Sequence, residues 1–108
     1  MTYFRILFYL LMMNSVFSQN TKSLQGRIID SKSKEPLIGA NVIIKGTAQG
    51  SATNVEGEFF ITDLSQSMVN LQVSYIGYKT KTISDIEVKD GLHSDIVIEL
   101  DADVISVT

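Results

Sequence analysis

The sequence predicts an all-β protein, a seven-stranded β-sandwich, and three observations carry that expectation. From Ser23 onward, turn-forming residues recur roughly every eight to twelve positions between runs rich in Val, Ile, Thr, Phe and Tyr, the spacing of sandwich or barrel strands. Between Val69 and Ile76, Leu71, Val73 and Tyr75 alternate with Gln72 and Ser74, so one face of that segment is buried and the other wetted. No segment beyond the N-terminal apolar run carries a convincing helical period.

The strands follow in order. Leu24 to Asp30 is the first, ended by Ser31-Lys32-Ser33-Lys34-Glu35-Pro36, a polar stretch whose proline has no N–H for a ladder. Ala40 to Lys45 is the second, closed by Gly46, and Ser51 to Asn54 is a short third. Glu58 to Thr62 is the fourth, joined to the third through Gly57, which accepts the positive φ of a tight hairpin. Val69 to Ile76 is the fifth. Gly77 breaks or bulges the chain, and Tyr78 to Val88 resumes as the sixth, where Lys79, Lys81, Thr80, Thr82 and Ser84 mark an edge-like polar surface. After the turn at Asp90-Gly91, Asp95 to Leu100 is the seventh, with Ile96, Ile98 and Leu100 on one face. Gly39, Gly46, Gly50, Gly57 and Gly77 are read as turn or bulge positions.

The first 18 residues read as an export signal. Arg5 precedes the apolar run Ile6 to Met13, Asn14-Ser15 interrupt it, and Val16-Phe17-Ser18 offers small-residue cleavage before Gln19. A spanning helix needs about 20 apolar residues. Removing the leader takes Arg5 with it and leaves eight Lys or Arg against twelve Asp or Glu, a net charge of −4. No basic cluster exists to neutralise phosphates, so nucleic acid is not an expected partner. There is no cysteine, hence neither a disulfide framework nor a lipid-accepting thiol after the leader.

The order of several short motifs completes the reading. Gly26-Arg27-Ile28-Ile29-Asp30, Glu35-Pro36-Leu37-Ile38-Gly39-Ala40-Asn41-Val42, Ile44-Lys45-Gly46-Thr47, Gly50 to Phe59 and Leu71 to Tyr78 together resemble the carboxypeptidase-regulatory-like domain. The likeness covers nearly all of Ser23 to Leu100. It implies a transthyretin-like, immunoglobulin-like sandwich of the kind found at the N-terminus of Bacteroidota TonB-dependent outer-membrane receptors of the starch-utilisation type. In such receptors the domain follows the signal peptide and precedes a TonB box, a plug and a β-barrel. The expected organisation is therefore a signal peptide over 1–18, the sandwich over 19–100 and a TonB-box-like tail over 101–108.

In that tail, acidic Asp101-Ala102-Asp103 precedes the β-prone Val104-Ile105-Ser106-Val107-Thr108. The resemblance implies that Asp103, Val104, Ile105, Ser106 and Val107 bind a TonB-like periplasmic protein by adding a strand to its sheet. The expected location is the periplasm, with outer-membrane association only through a C-terminal barrel outside this sequence. The rival expectation is a stand-alone secreted module with a carbohydrate or protein ligand.

Chemistry-bearing residues do not assemble into a catalytic pattern, and no cofactor is expected. His93, the single histidine, sits in a Gly91-Leu92-His93-Ser94 turn without the Cys or second His of an ordinary zinc site. No serine has a credible base beside it. Asn54-Val55-Glu56-Gly57-Glu58 offers three oxygen-bearing side chains, and the reading weighed against a cation loop is a hairpin with solvated acids. Tyr75 is assigned to the buried face, and Tyr78 is placed over the sandwich end with its hydroxyl bonded to backbone.

Overall fold

A computed structural model describes residues 22–90 and 95–104. The leader, His93 and its turn, and tail positions Ile105, Ser106 and Val107 fall outside the described residues. The chain folds as β1 (Lys22–Asp30), β2 (Asn41–Ile44), β3 (Gly50–Ala52), β4 (Glu58–Leu64), β5 (Met68–Ser74), β6 (Lys81–Glu87), β7 (Lys89–Asp90) and β8 (Asp95–Leu100). The expected all-β sandwich is what forms, with eight strands among the described residues in place of seven. The extra one arises at Val88, which is buried. There the chain leaves β6, paired with β5, and places β7 against the start of β1.

Two four-stranded sheets result. In one the order is β3-β2-β5-β6; in the other β1 pairs with β4 on one side and, on its other side, with β7 and then β8. The β1–β8 pairing is parallel, in register from Gln25↔Asp95 to Asp30↔Leu100. Inward residues of both sheets fill the core: Leu24, Ile28 and Phe59 from β1 and β4, Leu100 from β8, and Val42, Ile44, Leu71 and Val73 from β2 and β5, none more than 1% exposed. Each such side chain contributes about 1.5–3 kcal/mol by leaving water.

Elements end where side chains offer the backbone another partner. β3 stops at Ala52 because the buried Thr53 turns its hydroxyl to the loop before β2, accepting from the Ala40 N–H at 2.8 Å and donating to the Leu37 carbonyl. β5 stops at Ser74 because Tyr75 to Tyr78 close a turn, Tyr78 N–H donating to the Tyr75 carbonyl at 3.0 Å with Gly77 at φ +84°. That positive φ at the third position belongs to a type II turn. Of the other glycines read as turn or bulge positions, Gly39, Gly46 and Gly57 also take positive φ, whereas Gly50 lies within β3.

The seven-residue edge strands β4 and β6 are both bulged. Register slips between β1 and β4 and between β5 and β6, and the residues in left-handed conformation there are Asp63 and Asp85, with φ of 58° and 59°. Aspartate tolerates that region better than most side chains, and Asp85 N–H is further held by the Asn70 side-chain oxygen at 2.9 Å. Bulges at edges hinder pairing with a foreign strand.

Because β1 and β8 run in parallel, the chain enters at one end of the sandwich and leaves at the other. The loops 31–40, 53–57, 75–80 and 101–104 gather at the exit end.

Candidate functional site

The exit end is where the sequence placed its candidate interaction residues, and its geometry begins with Asp30. At the end of β1 its Oδ1 accepts the N–H groups of Lys32 and Ser33, both at 2.8 Å, which folds the chain back after the strand. Its Oδ2 accepts the Tyr78 hydroxyl at 2.7 Å. The expectation of a backbone partner for that hydroxyl is thereby corrected: a carboxylate 48 residues away takes it, because β1 and the turn after β5 end side by side. The Ser33 N–H, the Tyr78 hydroxyl and the Lys32 N–H hold the Asp30 carboxyl at a pKa of about 2. The same bond raises the Tyr78 phenol above its ordinary value, since ionisation would set two anions together. Tyr75 and Tyr78 are both half-buried, with ring centroids 5.4 Å apart and planes tilted by 59°, a favourable aromatic arrangement.

Past Leu100 the chain stays tied to the sandwich for three more residues. Lys79 N–H donates to the Asp101 carbonyl at 2.9 Å, Asp103 N–H to the Gly77 carbonyl at 2.8 Å, and Tyr78 and Ala102 form an antiparallel bridge. Asp101 to Val104 are all exposed, Val104 at 73%. Of the predicted partner-binding residues, the structure thus places Asp103 on the last backbone tie among the described residues and Val104 just beyond it.

The segment Asn54 to Glu58 is a hairpin, as weighed against a cation loop. Asn54 Oδ1 already accepts the N–H groups of Glu56 at 3.0 Å and Glu58 at 2.9 Å, and Gly57 N–H closes the turn on the Asn54 carbonyl. The Asn54 oxygen is thus committed to backbone. Glu56 is shifted upward by its hydrogen bond to Glu58 and by that neighbour's charge, against a smaller downward pull from Arg27.

Two features of the surface escaped the sequence reading. Gln49 Nε2, beside β3, donates to the Asp63 carbonyl at 3.2 Å. On the opposite side Lys81 Nζ donates to the Glu99 carbonyl at 3.1 Å. Since Ser31 N–H bonds the Leu100 carbonyl from the β1 side, the neighbouring Glu99 carbonyl faces away from β1, on the free edge of β8. Each open flank of the sandwich is thus joined by one long polar side chain from one sheet to an edge carbonyl of the other. Only their length and polarity hinted at this.

Comparison with known proteins agrees with the fold and the motif order. Residues 24–108 match the model of the CarboxypepD_reg-like domain. The chain is 30% identical over 95 residues to the TonB-dependent receptor P3 of Formosa agariphila, covering 88% of this chain and 9% of the receptor. It is 36% identical over 56 residues to the TonB-dependent receptor SusC of Bacteroides thetaiotaomicron, covering 52% of this chain and 5% of the receptor. The chain therefore spans less than a tenth of the length of these relatives. Among solved structures, a type II cohesin–X–dockerin complex from Acetivibrio cellulolyticus has a chain that superposes with a TM-score of 0.63 at 21% identity, over 74% of this chain and 57% of that one; the likeness is one of fold. With the match running through β1 to β8 and into the segment after them, the chain belongs to the CarboxypepD_reg-like domain family.

Proposed function

We propose that this domain is the non-enzymatic, periplasmic N-terminal extension of a TonB-dependent outer-membrane nutrient receptor, and that it acts in protein interaction for energy-coupled uptake. The observation that carries the reading is the similarity to receptor P3 along 88% of the chain. In this reading the tail from Asp103 to Val107 binds a TonB-like periplasmic protein by strand addition. Main-chain hydrogen bonds supply the affinity in that mode, with modest demands on side chains. The position of Val104 supports it: the last backbone tie among the described residues is at Asp103 and the next side chain is exposed, so an extended segment can begin there without disturbing the core.

The test is a titration of the exported chain, and of a version ending at Ala102, against the periplasmic C-terminal domain of TonB from the same organism. Binding by the longer chain alone is the expected result. Equal binding by both would move the contact onto the sandwich, and binding by neither would leave the domain without this role.

A further inference from the structure

The polar side chains of the exit end differ in whether they are spent within the chain. Asp30, Thr53, Asn54 and Tyr78 are consumed by internal hydrogen bonds that shape the loops. Asn41, Ser74 and Tyr75 are not: none of their side chains has a hydrogen-bond partner among the described residues. These three line one depression of about 280 Å³, together with Gly39 and Ile76. Asn41 and Ser74 are cross-strand neighbours on β2 and β5, so their spacing is fixed by the ladder of the two central strands of that sheet. Ile76, 90% exposed, forms an apolar wall.

From this lining we infer that the depression is a binding site for a neutral, polyhydroxylated ligand, a single sugar ring of an oligosaccharide. The chemistry excludes the other classes in turn. Among the described residues no charged side chain lines the depression, so an ionic ligand would lose its hydration without gaining a counter-charge. A wholly apolar ligand would cover the Asn41 amide and the Ser74 hydroxyl and leave them unpaired, at a cost of about 1–3 kcal/mol for each buried group. A sugar presents hydroxyls that both donate and accept, matching an amide and two hydroxyls. Its C–H faces match Ile76 and the Tyr75 ring. The volume lies just under the range of about 300–1,000 Å³ typical of small-molecule pockets, so one ring is seated and the rest of a chain lies in solvent. The contrast is another depression, of about 220 Å³, whose lining includes Arg27 and Glu58. The inference stands apart from the receptor reading, since neither the tail nor a following barrel takes part in it.

The test uses the exported chain labelled with nitrogen-15 and titrated with maltohexaose, cellohexaose and mannohexaose, with hexagalacturonate as the charged counterpart. At least one neutral hexamer is expected to shift the amide resonances of Asn41, Ser74 and Ile76 saturably, and hexagalacturonate none of them. Asn41→Ala is expected to weaken binding about tenfold, and Ser74→Ala or Tyr75→Phe several-fold, with unchanged thermal melting because the replaced groups bond nothing within the chain. Absence of any shift with all three neutral hexamers overturns the assignment, and so does binding that survives Asn41→Ala and Ser74→Ala together.

Discussion

The Lys81 ammonium, on the edge strand of one sheet, donates to the main-chain carbonyl of Glu99 on the edge strand of the other at 3.1 Å. Lys81 pairs with Val73 in the β5–β6 ladder, and Val73 is fully buried, so the lysine leaves its strand on the inward side and reaches across the open flank. An inward-pointing charge on an edge strand discourages pairing with another molecule. Here it also satisfies the carbonyl such pairing would use.

Replacing Lys81 with Met keeps the stem and removes the donor. The expected loss of stability is small, about 0.5–1.5 kcal/mol. The sharper effect should appear in light scattering near the melting temperature, where Lys81→Met aggregates earlier than the parent. Indistinguishable scattering would show that the lysine does not guard this edge.

The Asp30 carboxyl gives the fold a dependence on acid. Its pKa is lowered from 3.8 to about 2 in the folded chain, so the unfolded state binds the proton more readily. The stabilisation is present above the unfolded value and is lost as pH falls from about 4 to about 2. Tyr78 works in the opposite sense: its raised pKa means that its contribution is present below the ordinary value of 10.0 and lost above it. Melting curves across both ranges should show the acid limb flattened in Asp30→Asn and the alkaline limb flattened in Tyr78→Phe. An unchanged acid limb in Asp30→Asn would assign the acid sensitivity to other carboxylates.

Leu71 is 0% exposed between the sheets. Leu71→Ala should cost about 2–4 kcal/mol through lost burial and an unfilled cavity, a large fraction of what a small domain has. Thermal or urea denaturation reads this directly, and a shift of only a degree or two would contradict the packing described.

Gly26 is expected to be nearly intolerant of a side chain. A Cβ there would lie 2.5 Å from the Ile96 carbonyl oxygen and 2.7 Å from the Phe59 ring, one a neighbouring strand's backbone and the other the largest fully buried side chain. Gly26→Ala should lie at the upper end of the roughly 1–3 kcal/mol typical of overpacking, measurable as a lower urea midpoint. Gly39→Ala has open space around it and serves as the comparison, its cost coming from backbone conformation alone.

What could be read from the sequence was what depends on neighbours along the chain. The alternation of Leu71 and Val73 against Gln72, and of Ile98 and Leu100 against Glu99, marked inward faces because a sandwich strand has one dry side. The Asn54 to Gly57 hairpin was legible because an asparagine able to cap its own backbone stands three residues before a glycine. The partners of β8 and of Tyr78 were not legible: which strand a β-run joins, and which carboxylate a phenol meets, depend on chain 48 or more residues distant. The bulges at Asp63 and Asp85 were missed because neither carries the glycine that usually announces a left-handed residue. At the candidate site, the exposure of the tail's first residues was legible from their acidity, but the ties to Gly77 and Lys79 were not. The depression beside Asn41 was hidden for a different reason: each lining residue looks ordinary alone, and only the β2–β5 register sets Asn41 beside Ser74.

The parallel pairing of β1 with β8 has a mechanical consequence. A pull on the two ends of the domain would draw these adjacent strands lengthwise past one another, and the ladder from Gln25↔Asp95 to Asp30↔Leu100 would have to rupture as a block. A hairpin pulled at its open ends instead unzips one bond at a time. Tension along this axis therefore meets the β1–β8 ladder in shear.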